Sequence, residues 1–254
     1  MTGFEKQSKF KKKKISTQIS KTSKEELIHQ AFKFHSEGNI QEAAKFYQYF
    51  INEGFKDHRV FSNYGAILKN YGKLKEAEKW YRKAIEVNPY FADAYYNLGN
   101  TLKDLDKSKE AALSLRKAID LQPNFAEAHS NLGNILRDLG QLQDAKLSLN
   151  KAIELNPCFA TAHFNMGIIC KDLGQLQDAE LSTRKAIQLK PDYAEAHYNL
   201  GIILKRCGNL DESIYSYEKA IELKADYKEA IAEMGKVMTI KGNYKEGLQK
   251  LKEG

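Results

Sequence analysis

Residues 156–174 read NPCFATAHFNMGIICKDLG. The same pattern stands at 88–105 (NPYFADAYYNLGNTLKDL), 122–140 (QPNFAEAHSNLGNILRDLG) and 190–208 (KPDYAEAHYNLGIILKRCG), so that successive copies begin 34 residues apart. The period runs back through Gly65 and Gly72 to Ala31 and Gly38, and forward through Gly235 and Gly242. Self-similarity at a fixed period of this length marks a stacked repeat, in which one supersecondary unit buries its apolar face only against its neighbours. With the unit numbered 1–34, repeats start at Lys24, His58, Ala92, Ala126, Ala160, Ala194 and Lys228, the seventh being incomplete.

Each position has a physical reason. Positions 4, 7, 8 and 11 share one face of a first helix; in the third repeat they are Tyr95, Leu98, Gly99 and Leu102. Gly at position 8 (Gly65, Gly99, Gly133, Gly167, Gly201, Gly235) costs about 1 kcal/mol in helix propensity, and close approach of a second helix is the compensation. Gly at position 15 suits a left-handed turn after the first helix, with Asp106 standing there in the third repeat. A second helix carries Ala at positions 20 and 27 and a large residue at 24, with Ser213 and Thr183 as milder departures. Pro at position 32 (Pro89, Pro123, Pro157, Pro191) breaks the chain between repeats. The first repeat is the most divergent, as terminal caps of solenoids tend to be.

This 34-residue unit resembles the tetratricopeptide repeat (TPR) family over residues 24–254. The resemblance implies an all-α, right-handed superhelical solenoid of seven helix-turn-helix repeats, whose first helices line a concave face.

Composition narrows the function. The net charge of +7 invites a nucleic-acid partner, but residues 1–24 hold eight Lys against Glu5, which accounts for the whole excess. Residues 1–23 therefore read as a separate basic, disordered tail. Its plain reading is a solubilising leader; the sharper one is attraction to nucleic acid or an acidic membrane surface. Cys158, Cys170 and Cys207 form no CxxC pair and no even framework, which points to a reducing, cytoplasmic setting. No apolar stretch reaches the roughly 18 residues of a membrane span.

Nothing in the pattern calls for catalysis, a cofactor, a metal or a small-molecule substrate. His129, His163 and His197 recur one repeat apart, at position 4. Helices pack at about 8–10 Å and zinc ligands sit at about 2 Å, so these histidines read as packing residues rather than ligands. Cys170 and Cys207 read as small apolar fillers.

Position 6 needs its own explanation. It is Asn63, Asn97, Asn131, Asn165 and Asn199 in five consecutive repeats. At about 100° per residue it points away from positions 4 and 11, and positions 2, 9 and 13 share its face, with Asn100, Asn134, Asp104, Asp138 and Asp172 among them. Basic residues recur at position 12 (Lys69, Lys103, Arg137, Lys171, Lys205), and aromatics at position 5 (Tyr96, Phe164, Tyr198). Asn is a poor helix former, yet its amide both donates and accepts, so a ladder of amides can pair with an extended backbone of any sequence. The repeats look most like those of O-linked N-acetylglucosamine transferases and SPINDLY-type proteins, and that likeness implies an asparagine ladder that grips a peptide. The competing reading is that the amides bond the adjacent repeat and set the superhelical twist.

A protein-interaction scaffold with a polypeptide partner is thus the expected function. The alternative is the substrate-recruiting arm of a larger enzyme, for example a protein O-glycosyltransferase. The unfinished seventh repeat motivates it: Val237, Met238, Leu248 and Leu251 are expected to need cover from a further domain, a partner or a second copy.

Overall fold

The computed structural model describes residues 23–253; the basic tail at residues 1–22 lies outside them. The described residues form helices and connecting turns, without strands. First helices are α1 (Lys24–Ser36), α3 (His58–Asn70), α5 (Ala92–Asp104), α7 (Ala126–Asp138), α9 (Ala160–Asp172), α11 (Ala194–Arg206) and α13 (Lys228–Ile240). Second helices are α2 (Ile40–Asn52), α4 (Leu74–Val87), α6 (Ser108–Leu121), α8 (Leu142–Leu155), α10 (Leu176–Leu189), α12 (Leu210–Leu223) and α14 (Tyr244–Glu253). The first helices begin on the residues from which the 34-residue register counts each unit.

Two compact units divide the chain, residues 1–105 and 106–254, with the boundary inside the turn of the third repeat. Asp106 opens the second unit with a backbone φ of 59°. It fills the left-handed turn that glycine takes in the other repeats, a conformation that Asp tolerates better than most residues. Gly140 shows the usual closure. Its φ is 75°, and the next amide, that of Gln141, donates back to Leu136 O at 2.8 Å, so the last carbonyls of α7 are satisfied before the chain reverses.

Small residues set the packing distance. Ala at positions 20 and 27 is fully buried throughout, and the residue at 24 (Tyr47, Tyr81, Leu115, Leu149, Thr183, Tyr217) is buried with it. The position-8 glycine faces that residue directly. A Cβ on Gly167 would stand 2.2 Å from Thr183 Oγ1 and 3.2 Å from Ala179 O, and one on Gly133 would stand 2.8 Å from Leu149 Cγ. The 2.2 and 2.8 Å separations are shorter than real Cβ contacts, so glycine is what admits the second helix. Ser213, which replaces the position-20 alanine, satisfies its buried hydroxyl by donating to Gly201 O at 2.7 Å.

Val237 is fully buried, in a cluster with Met234, Tyr217 and Tyr227, and Met238 packs partly buried against it. This corrects the expectation that Val237 needs an outside cover: α12 and α13 enclose it. The side chains of Leu248 and Leu251 lie outside the described set.

Candidate functional site

The site follows from which helices touch. Within each unit a first helix packs on its own second helix, on the second helix before it, and on the next first helix: α3 meets α5, α7 meets α9, α9 meets α11 and α11 meets α13. Second helices make no comparable contact with one another among the described residues. A row of hairpins that touches along one edge and splays along the other is curved, with the touching edge inside. The first-helix face is therefore the inner face of each unit.

Positions 2 and 13 are exposed along that face, and position 9 is mostly half-buried. In the second unit these rows hold Glu127, Asn134 and Asp138 on α7, Thr161, Ile168 and Asp172 on α9, and Glu195, Ile202 and Arg206 on α11. Asn100 and Asp104 hold the equivalent places on α5 of the first unit. Acids thus stand at two of the helix starts (Glu127, Glu195), where they complement the helix dipole, and also at three of the ends (Asp104, Asp138, Asp172).

The asparagine row lies deeper. Asn63, Asn97 and Asn131 are half-buried, whereas Asn165 and Asn199 are only 5% and 3% exposed. Asn63 Nδ2 donates to Tyr47 Oη at 3.2 Å, and Asn199 Nδ2 donates to Thr183 Oγ1 at 3.2 Å. Both acceptors are position-24 residues of the preceding repeat. Asn165 has Leu149 in that register, and its buried Nδ2 finds no partner among the described residues. The row thus sits in the seam between repeats, and the amides of Asn63 and Asn199 are bonded to a neighbouring helix.

Three of the position-12 cations, Lys69, Lys171 and Lys205, reach the other way, toward the following repeat. Lys171 Nζ donates to Asn199 Oδ1 at 2.9 Å. Lys205 Nζ pairs at 2.5 Å with Glu233, which holds position 6 in the seventh repeat. Burial works against the Glu233 charge, but hydrogen bonds from Lys205 and Lys236 outweigh it and hold the carboxyl below its usual range. Burial pushes the Lys171 ammonium down; neighbouring Asp172 opposes that, and the like charges of Arg137 and Arg206 add to it. Arg137 pairs with Asp138 at 2.9 Å. Lys69 pairs with Asp104 at 3.0 Å in the first unit, and Lys103 is exposed there.

The position-5 aromatics serve packing. Tyr198 lies against Tyr217 and Tyr227, with ring centroids 5.9 and 5.0 Å away, and Phe164 lies 4.7 Å from Tyr193. Tyr96 is half-buried in the first unit. The repeated histidines have a structural role that spacing alone does not reveal. His129, His163 and His197 each place Nε2 3.0 Å from the carbonyl of the position-32 proline before them (Pro123, Pro157, Pro191). Each ring donates that N–H and ties the inter-repeat turn to the helix it leads into. No group of His, Cys, Asp or Glu able to hold a metal ion occurs among the described residues. No helix among them is long and apolar enough to cross a membrane.

With this geometry in hand, comparison with known proteins gives the class. The TPR repeat model matches residues 65–106, 133–174 and 169–206. Tetratricopeptide repeat models match residues 92–125 and 194–227, and 114–146. Together these matches span residues 65–227 without a gap, and the chain belongs to the tetratricopeptide repeat family.

Among solved structures the chain is similar to YrrB, described as a TPR protein with an unusual peptide-binding site. Identity is 28%, the match covers 74% of this chain and 97% of that one, and the TM-score is 0.61. It is also similar to MamA, at 27% identity over 63% of this chain and 94% of that one, with a TM-score of 0.59. A tetratricopeptide repeat protein from Parabacteroides merdae shares the fold over 91% of both chains at 18% identity, with a TM-score of 0.71. None of the curated proteins matches the sequence.

Proposed function

We propose that the chain is a protein-interaction scaffold that holds a polypeptide segment along the inner, first-helix face of its repeats. The observation that carries this reading is the contact pattern: first helices meet first helices and second helices do not. The inner face is thereby a shallow concavity with accessible amide, charged and apolar rows. YrrB, with its own peptide-binding site, supports the same class of function in a related fold.

In this reading Asn63, Asn97 and Tyr96 floor the face of the first unit, with Lys103 at its edge. Asn131, Asn165, Asn199 and Tyr198 floor that of the second, bordered by Arg137, Lys171 and Lys205. An asparagine amide has two donor hydrogens and two acceptor lone pairs, so one bond to a neighbouring repeat does not exhaust it. The experiment is a random-peptide display selection on the full chain, followed by binding of the selected peptide to wild type and to Asn97→Ala/Asn131→Ala/Asn165→Ala. Binding should weaken about tenfold or more, equivalent to about 1.4 kcal/mol, with the helical melting curve nearly unchanged. Parallel loss of fold and binding would assign the row to structure alone.

A second reading rests on the five position-6 asparagines, the feature in which these repeats resemble the arms of O-linked N-acetylglucosamine transferases and SPINDLY-type proteins. Here the scaffold recruits substrate for a catalytic domain on the same polypeptide. Reading the coding sequence beyond the codon of Gly254 tests it: a transferase domain supports the arm, and a stop codon rules it out.

A further inference from the structure

The charges on the inner face of the second unit change pattern at one seam. Position 13 is Asp104, Asp138 and Asp172 in the third, fourth and fifth repeats, and Arg206 in the sixth. Ser36 and Asn70 hold it in the first two repeats and Ile240 in the seventh. The first unit shows what an acid does there: Lys69, at position 12, reaches the next first helix and pairs with Asp104 at 3.0 Å. In that register the counterpart of Lys171 on α9 is position 13 of α11, where the sequence supplies Arg206 instead of an acid.

The structure brings these two cations to one place. Lys171 Nζ donates to Asn199 Oδ1 at 2.9 Å. Arg206 follows Asn199 by two helical turns, on the same face of α11, and its Nη1 donates to the backbone carbonyl of Lys171 at 3.0 Å. Neither cation has a carboxylate within 4.0 Å among the described residues. The bond to the carbonyl caps the end of α9, but it uses one of the five N–H groups of the guanidinium.

The surrounding charges leave the pair in excess. Asp172 acts on Lys171 as an opposite charge, and Arg137 and Arg206 act on it as like charges. Arg137 is itself held by Asp138 at 2.9 Å. Asp138 and Asp172 are exposed, so solvent screens them, whereas Lys171 is half-buried. Three cations thus stand against two acids. The following seam carries its own acid: Lys205 and Lys236 meet Glu233 at 2.5 and 2.6 Å.

We infer that Lys171 and Arg206 form an oxyanion subsite of the inner face, which seats one acidic group of the bound segment. This rests on the reading that the inner face holds a polypeptide. The chemistry of the donors selects the ligand. The planar guanidinium takes two oxygens side by side, and the ammonium, with three N–H groups and one given to Asn199, takes a further contact. A neutral or basic group would leave two like charges together at a half-buried seam. A side-chain carboxylate, a C-terminal carboxylate and a phosphoserine share the required chemistry.

The test begins with random-peptide display on the full chain, using wild type and Arg206→Asp as separate baits. The substitution restores the residue type of the three preceding repeats at an exposed position, so helical circular dichroism should not change. Peptides selected on wild type should share an acid at one position, and those selected on the variant should not. Affinities are then measured for a peptide selected on wild type with Glu, Gln or phosphoserine at that position, and for a form that ends there. Gln in place of Glu should weaken binding to wild type about tenfold and to the variant less than about twofold. The tightest of the three acidic forms identifies the source of the oxyanion. Selected peptides without a shared acid, or an equal loss with Gln in both proteins, would overturn the inference and leave the groove reading in place. Failure to select any peptide would overturn both.

Discussion

The side-chain amide of Asn199 donates to the hydroxyl of Thr183 at 3.2 Å, across the seam between the fifth and sixth repeats. The same amide accepts from Lys171 at 2.9 Å, and the Thr183 hydroxyl donates onward to Ala179 O at 2.8 Å. One repeat earlier, Leu149 takes the Thr183 position and Asn165 Nδ2 is left buried without a partner among the described residues. Two residues that look identical in the sequence are therefore energetically different.

Asn199→Ala should destabilise the sixth repeat by about 1 kcal/mol, the net worth of the lost bonds less the gain in helix propensity. Asn165→Ala should be neutral or slightly stabilising, because it removes an unsatisfied donor. Native-state hydrogen exchange on α9 and α11 separates the two, since stability in a repeat array is local. Equal losses at both sites would mean that the seam bonds carry no stability.

Gly167→Ala should cost about 1–3 kcal/mol by overpacking, since its Cβ would stand 2.2 Å from Thr183 Oγ1. In a Thr183→Ala background the cost should shrink markedly, a non-additivity of the kind expected for residues in contact. Gly174→Ala strains a turn with φ of 76° and open space around it, so Thr183→Ala should not relieve it. Urea denaturation of the single and double variants measures all three.

His35 supplies a pH-dependent term. Tyr47 Oη lies 2.9 Å from His35 Nδ1, and Asn63 donates to the same hydroxyl. Burial pushes the Tyr47 phenol up to about 12, against the lowering effect of the Asn63 bond, so at neutral pH it is an uncharged O–H within hydrogen-bond distance of the imidazole. Burial also lowers the His35 pKa below 6.5. The folded state therefore binds this proton less readily than the unfolded chain. The contribution is fully present above pH 6.5 and is lost as pH falls through the lowered folded-state value. Hydrogen exchange in α1 and α2 should quicken, after correction for the intrinsic rate, between pH 7.5 and pH 5.5, and His35→Gln should remove that dependence.

Much of the fold was legible because the period is strict. Gly133, Ala145 and Pro157 announce a close approach, a buried second-helix face and a break, and the structure uses each of them so. The inner face was legible in part. Counting 100° per residue places position 6 opposite position 4, but one helix wheel shows only two sides. In the stack α11 also meets the preceding second helix, and there Asn199 finds Thr183. The bonds from His163 to Pro157 O and from Lys205 to Glu233 join residues of successive repeats, and single-helix periodicity does not carry their geometry. The exposure of Leu113, Leu147 and Leu181 escaped notice for the opposite reason: Leu in a helix reads as core until the accessible surface shows it outside.

The central claim is that the inner face of the first helices holds a polypeptide, and hydrogen exchange of the full chain with and without a display-selected peptide tests it most directly. The expected result is protection concentrated in the first helices α7, α9 and α11, around Asn134, Asp172 and Ile202, with little change in α8, α10 and α12. Protection centred on the second helices, or none at a saturating concentration of bound peptide, would contradict it.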